Sequence, residues 1–320
     1  MGLTNFQNGI TSFGVPVFGN LGVGNVYFVG KNTDTVTWRE LSKRYAASRY
    51  SDGSHVLYSD DGDGLGIQAA LDACVDSRND YVVVTPSSTD YDLTAVLTMS
   101  KRDVHLIAPA GMGMKYGAVN AVRLHQNTAA TGLIYITGQA CEVAGFFLKC
   151  ATDSKGIYGT ACHGVQIHHN MVGMSCTAGS ATAFGIYLGP AETVHADIAN
   201  NFVTCYEPIA TGALGGAIQI DNGTRCIVRE NLITTGGTGV VAITMTVGIG
   251  LGGALTYAFD NRFSEYTVGV FTLGINQNVS GFLAGNEFGM TTAANAINGG
   301  TANEYAVRNY ESTNGGTLAV

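Results

Sequence analysis

The sequence is poor in charge, proline and tryptophan. Of its 320 residues, 12% are Asp, Glu, Lys or Arg, five are proline and one is tryptophan. Helical domains draw on Lys and Glu to solvate their outer faces, so this scarcity argues against a helix-rich fold. No lysine follows Lys155, and residues 156–320 carry four basic side chains (Arg225, Arg229, Arg262, Arg308) against ten acidic ones. Phosphate neutralisation needs cations, which makes this half a poor candidate for a nucleic-acid surface. No C-x-x-C pair occurs among the seven cysteines (Cys74, Cys141, Cys150, Cys162, Cys176, Cys205, Cys226). An odd set without metal-ligand spacing reads as small apolar core residues kept as thiols in a reducing cytoplasm. The opening Met1-Gly2-Leu3-Thr4-Asn5-Phe6 lacks the basic and apolar regions of a secretory signal, so a protein retained in the cell that makes it is expected.

One uncharged stretch, Leu232 to Phe259, has the hydropathy of a membrane span. Its seven glycines and recurring threonines fit strands better than a spanning helix. Forty-four glycines in all, with abundant Val, Ile, Thr and Asn, suit many short strands joined by tight turns.

Those strands repeat. An apolar residue, two spacers, an asparagine and another apolar position recur around Asn170, Asn201, Asn231, Asn261, Asn286 and Asn309, at spacings of 31, 30, 30, 25 and 23 residues. A second register opens with a glycine and an alternating strand at Gly132, Gly156, Gly185, Gly216 and Gly269. A period about three strands long points to a solenoid, whereas sandwich strands recur every 8–12 residues. At the bend between two strands asparagine tolerates unusual backbone angles, and its amide can bond the amide one coil away, giving a structural ladder of the six asparagines. The expected fold is all-β, a right-handed parallel β-helix in which each coil buries its apolar side against the last.

Asp63 to Cys74 reads as a short amphipathic helix with Ile67, Ala70, Leu71 and Cys74 on one face, a cap for the exposed strand edges. Before it, Val36 to Tyr45 reads as a second helix, carrying Trp38. The apolar, Gly/Asn-rich opening reads as an extended arm. The organisation expected is thus an attachment arm over residues 1–30, a linker and capping helix over 31–78, and the β-helix over 79–320.

Two resemblances follow. Ile67-Gln68-Ala69-Ala70-Leu71-Asp72 followed by Val82-Val83-Val84-Thr85-Pro86 resembles the entry of the pectate-lyase-like β-helix superfamily, across about residues 60–310. The segment Thr4-Asn5-Phe6 through Asn8-Gly9-Ile10-Thr11-Ser12-Phe13-Gly14-Val15-Pro16 to Val26-Tyr27-Phe28-Val29 looks like the start of tailed-phage virion proteins that carry a β-helix. The second resemblance implies a non-enzymatic virion protein assembled in the host cytoplasm, of the capsid decoration or cement type. It implies attachment to the major capsid protein or another virion protein through Phe6, Ile10, Phe13, Val15, Val17, Phe18 and Trp38, and by analogy a homotrimer. The alternative is a tail spike or fibre that binds or degrades host polysaccharide. Neither reading calls for a cofactor, a membrane or nucleic acid.

Candidate chemistry is sparse. Polygalacturonase-like enzymes place N-T-D, D-D and G-H-G elements on stacked coils. Here Asn32-Thr33-Asp34 and Asp60-Asp61 precede the capping helix and so are expected to lie away from Cys162-His163-Gly164. Glu230 and Asp260 each precede a ladder asparagine and are expected as stacked surface charges, the one carboxylate pair with glycosidase-like placement. His168 and His169, adjacent on a strand, are expected on opposite faces. The acidic turn Asp60, Asp61, Asp63 lacks the terminal glutamate of a helix-loop-helix calcium site and is expected to be a helix-start turn.

Overall fold

The computed structural model of the chain describes residues 11–12, 15–16, 24–44, 55–109, 121–126, 132–150, 154–176, 182–208, 213–235, 243–265, 269–277, 281–290, 296–299, 304–307, 309–311 and 316–318. Its strands stack into three long parallel sheets of eleven, ten and nine strands, termed faces I, II and III. The chain visits them in rotation. Gln166–His168 lies in face I, Met171–Cys176 in face II and Phe184–Leu188 in face III, and the next coil repeats the circuit with Asp197–Ala199, Phe202–Pro208 and Ala213–Thr224. Apart from the hairpin of Asn309–Glu311 with Gly316–Leu318, the strands of these faces pair in parallel, so the fold is a parallel β-helix. The uncharged stretch from Leu232 joins it as Leu232–Thr235, Ile243–Ala254 and Thr256–Phe259. Among the described residues no helix is long and apolar enough to cross a membrane.

One column shows how the interior fills. In face III, Ile134, Ile157, Ile186, Ile218, Ile249 and Ile275 are successive ladder partners, each without solvent exposure. Every coil therefore adds one branched side chain to a column already buried. The thiols of Cys74, Cys141, Cys150, Cys162 and Cys226 are free and buried in the same core. Burial pushes Cys74 and Cys150 up to about 12 and Cys141 and Cys162 to about 11, which makes them inert apolar fillers at neutral pH. The side chains of Cys176 and Cys205 lie outside the described residues.

The six asparagines form the expected ladder, and all are at most 1% exposed. From Asn201 onward each side-chain oxygen accepts both the backbone N–H and the amide Nδ2–H of the asparagine one coil earlier, for example Asn201 N and Nδ2 to Asn231 Oδ1 at 2.9 and 3.0 Å. The same pair of bonds joins Asn170 to Asn201, Asn231 to Asn261, Asn261 to Asn286 and Asn286 to Asn309. The ladder begins at the N–H of Phe146, which donates to Asn170 Oδ1 at 3.1 Å. The unusual backbone angle sits one residue earlier than the sequence suggested: His169, Asn200, Glu230, Asp260 and Gly285 take φ of 50–67°, not the asparagines that follow them. The left-handed residue turns the corner, and the next residue aims its amide inward.

The glycine register shifts likewise. The column facing inward is Leu133, Gly156, Gly185, Ala217, Gly248 and Gly274, as the registers on either side of it require, so Gly132, Gly216 and Gly269 are not its members. Rings of face II and the backbone of the next coil limit its size: a Cβ at Gly248 would come 2.6 Å from both Phe263 Cε1 and the Gly274 carbonyl, and one at Gly274 2.7 Å from Phe288 Cε1 and 2.5 Å from the Ala296 carbonyl. Small residues on one face make room for rings on the other.

At the N-terminal end, α1 (Thr35–Arg44) and α2 (Leu65–Ala73) appear as expected, and α2 buries Ile67, Ala70 and Leu71. The arm boundary needs correction. Val26–Lys31 is a fully buried strand of face I, inserted between Asp80–Val84 and His55–Asp60 and parallel to both. The solenoid thus starts near residue 24, not 79, and residues 55–60 are its outermost strand rather than linker. A buried clamp fixes this start: Asp80 accepts the N–H groups of Asn25 and Val75 at 2.8 and 2.7 Å, while Arg78 bonds the Tyr27 hydroxyl at 2.7 Å.

Candidate functional site

A connected cluster of histidines and a carboxylate lies on the outer surface of face I. His105 and Glu142 are ladder partners on adjacent coils, and His168 lies on the next strand. Glu142 Oε2 meets His105 Nδ1 at 2.6 Å and Oε1 meets His168 Nε2 at 2.7 Å; its side chain is 8% exposed. His105 Nε2 meets Asn79 Oδ1 at 2.8 Å, and its ring stacks on Tyr81 at 4.3 Å. Both nitrogens of His105 are thus engaged, which fixes the ring. Burial alone would raise the Glu142 carboxyl, but the two imidazole hydrogen bonds outweigh it and hold it at about 2. So acidic a carboxyl is a weak base at neutral pH; its role is to orient the rings beside it.

His168 and His169 do not point apart. The strand ends at His168, and His169 takes φ 54° at the corner, which brings the two Nδ1 atoms to 3.0 Å with rings at 87°. The strict alternation of a strand fails at its last residue. Burial, then the neighbouring His168 and Arg229, push the His169 ring below its ordinary value.

Other surface carboxylates mostly bind across coils. Arg229 donates to both oxygens of Asp197 at 3.1 and 2.9 Å and lies 3.6 Å from Glu230. Arg262 pairs with Glu287 at 3.2 Å, and Asp90 draws in both Arg123 and Lys149. Glu230 and Asp260 occupy successive left-handed corners, with the Glu230 side chain 49% exposed. These contacts staple neighbouring coils, a use to which exposed pairs contribute modestly each.

The acidic turn serves the capping helix. Asp60, 1% exposed, accepts the N–H groups of Gly62, Gly64 and Ile67 at 2.6, 3.2 and 3.1 Å, and Asp63 accepts that of Leu65 at 3.0 Å. These bonds satisfy donors that the first turn of α2 leaves open. Asn32 and Asp61 touch at this end through their side chains, and Asp34 accepts the Ser88 N–H at 3.0 Å. His163 lies coils away, its Nδ1 accepting the Val194 N–H at 3.1 Å. The three polygalacturonase-like elements do not assemble. No group of three His, Cys, Asp or Glu among the described residues is placed to hold a metal.

Face III carries a column that the sequence reading passed over: Tyr135, Tyr158 and Tyr187 are successive ladder partners. The first two stack at 4.3 Å, and Lys155 Nζ lies 5.1 Å from the Tyr187 ring. Only the ladder register, not spacing within one strand, reveals it. Of the arm residues, Phe6, Ile10, Phe13, Val17 and Phe18 lie outside the described residues, and Val15 is described only as backbone in a two-residue strand, Val15–Pro16, antiparallel to Thr11–Ser12. Trp38 is in α1 and packs with Leu41 over Gly30, inside the N-terminal cap rather than in an arm.

No family model and no curated protein matches the chain. Two solved structures are similar in part. One is ORF18 of Geobacillus virus E2, at 12% identity and TM-score 0.40, covering 78% of this chain and 58% of that one. The other is a pectate lyase variant from Xanthomonas campestris, at 16% identity and TM-score 0.39, covering 80% and 78%. The chain thus spans little more than half the length of the viral protein.

Proposed function

We propose that this chain is a structural component of a bacteriophage virion, a capsid decoration or cement protein that binds the major capsid protein or another shell protein through its N-terminal segment while the β-helix projects. One observation carries the reading: the apolar segment that resembles phage virion proteins leads into the solenoid at the part-buried Asn25–Asp80 and Tyr27–Arg78 contacts, a joint suited to a tether. Carboxylates spent on stapling coils together also fit a protein whose work is to be rigid. Three copies per assembly form part of the proposal.

The test is a deletion that stops before the first strand. Removing residues 2–23 abolishes binding to particles lacking the protein while β-sheet circular dichroism is retained; unchanged binding overturns the reading. Incubation with host capsular or O-antigen polysaccharide leaves the sugar intact. Release of oligosaccharide moves the chain to the tail-spike class.

A further inference from the structure

We propose that His168 and His169 form a binding site for a transition-metal ion of square-planar or octahedral preference, Cu2+ or Ni2+. Two nitrogens at metal-bond length of about 2.0–2.1 Å and 3.0 Å from each other subtend about 95° at the metal, close to the right angle of neighbouring positions in those geometries and short of the tetrahedral angle.

His168 is oriented as metal-binding imidazoles are. Its Nε2–H donates to Glu142 Oε1 at 2.7 Å, which leaves Nδ1 as the lone-pair nitrogen and raises its basicity. Glu142 is itself locked from the other side by His105, which Asn79 anchors in turn, so the orienting carboxylate is fixed. The charged groups that bear on His169 are Arg229 and Glu230, and Arg229 is occupied by Asp197 and Glu230. With no third His, Cys, Asp or Glu of the described residues converging on the pair, water or a group from another molecule completes the shell.

The fold does not require these residues. At the His168 position the preceding coil has Ala144 and the next has Ala199; at the corner they have Gly145 and Asn200. Two coordinating side chains at one level, with Ala, Gly and Asn on the coils to either side, mark a single site.

Those neighbours supply the variants. His168→Ala and His169→Asn copy the following coil and so retain the corner, which a thermal melt verifies. The untagged full chain is titrated calorimetrically with CuCl2 and NiCl2 near neutral pH, and the Cu2+ adduct is examined by EPR. The expected result is one ion per chain with two imidazole nitrogens in the EPR pattern, an affinity at least tenfold weaker in either variant, and about tenfold weaker in Glu142→Gln. Failure of the wild type to take up either ion stoichiometrically, or uptake indifferent to both histidine variants, overturns the proposal; the two rings then share a proton and nothing more.

Discussion

Arg78 and Asp80 close a two-bond ion pair across a single intervening residue, Nε to Oδ1 and Nη2 to Oδ2, both at 2.8 Å, with the Asp80 side chain fully buried. The pair sits where the first solenoid strand, the capping helix and the strand after it meet.

Burial raises the Asp80 carboxyl, but Arg78 and the N–H groups of Val75 and Asn25 outweigh it and hold it below its ordinary value. A depressed carboxyl contributes stability that is fully present above the unfolded value of about 4 and is lost as pH falls through the lower folded value. Asp80→Asn leaves the partly exposed Arg78 without its charge partner and weakens the bonds from Val75 and Asn25, at an expected cost of about 1–3 kcal/mol at neutral pH. Urea unfolding at neutral and strongly acidic pH checks both points, since the gap between wild type and variant narrows in acid.

Mid-ladder asparagines matter more than the last one. Asn231→Ala strands the backbone N–H and amide of Asn201 and removes a donor to the Ile198 carbonyl, a loss on the order of 3 kcal/mol. Asn309→Ala has a longer donor contact to lose, 3.4 Å to Leu283, and costs less. Denaturant midpoints of the two variants decide it; equal losses refute a ladder in which inner rungs carry more.

Gly274→Ala drives a methyl into Phe288 and the Ala296 carbonyl, at an expected cost of about 1–3 kcal/mol. Phe288→Leu in the same chain recovers part of that loss. A double-mutant cycle with no coupling means that the ring is not what excludes the methyl.

Leu255 holds φ 56° at 42% exposure, a conformation that branched side chains resist. Leu255→Asn is expected to stabilise the fold by about 1 kcal/mol through relief of that strain. A lower unfolding midpoint instead shows that the leucine side chain contributes more than its backbone costs.

The periodic part of this fold was readable because one residue type does one job at every coil. Only an inward amide meets the geometry at Asn170 through Asn309, so the sequence repeats it. The corner residue before it is set by backbone angle alone, and His169, Asn200, Glu230, Asp260 and Gly285 share no side-chain chemistry that a pattern could reveal. The meeting of His168 with His169 was hidden for the same reason, since strand alternation predicts divergence until the corner is known. The strand Val26–Lys31 is not announced by the coil repeat, because it carries no ladder asparagine and is inserted out of sequential order between two later strands, Val26 pairing with both His55 and Tyr81. Tyr135, Tyr158 and Tyr187 become one column only once strands are in register.

That inserted strand also sets how the molecule bears load. Tension applied from the direction of residue 24 cannot peel an edge, because Val26–Lys31 is hydrogen-bonded on both flanks and must shear two rows at once. A tether joined there is gripped by a strand one in from the sheet edge, so forced extension from this end should meet high resistance before the first coil yields.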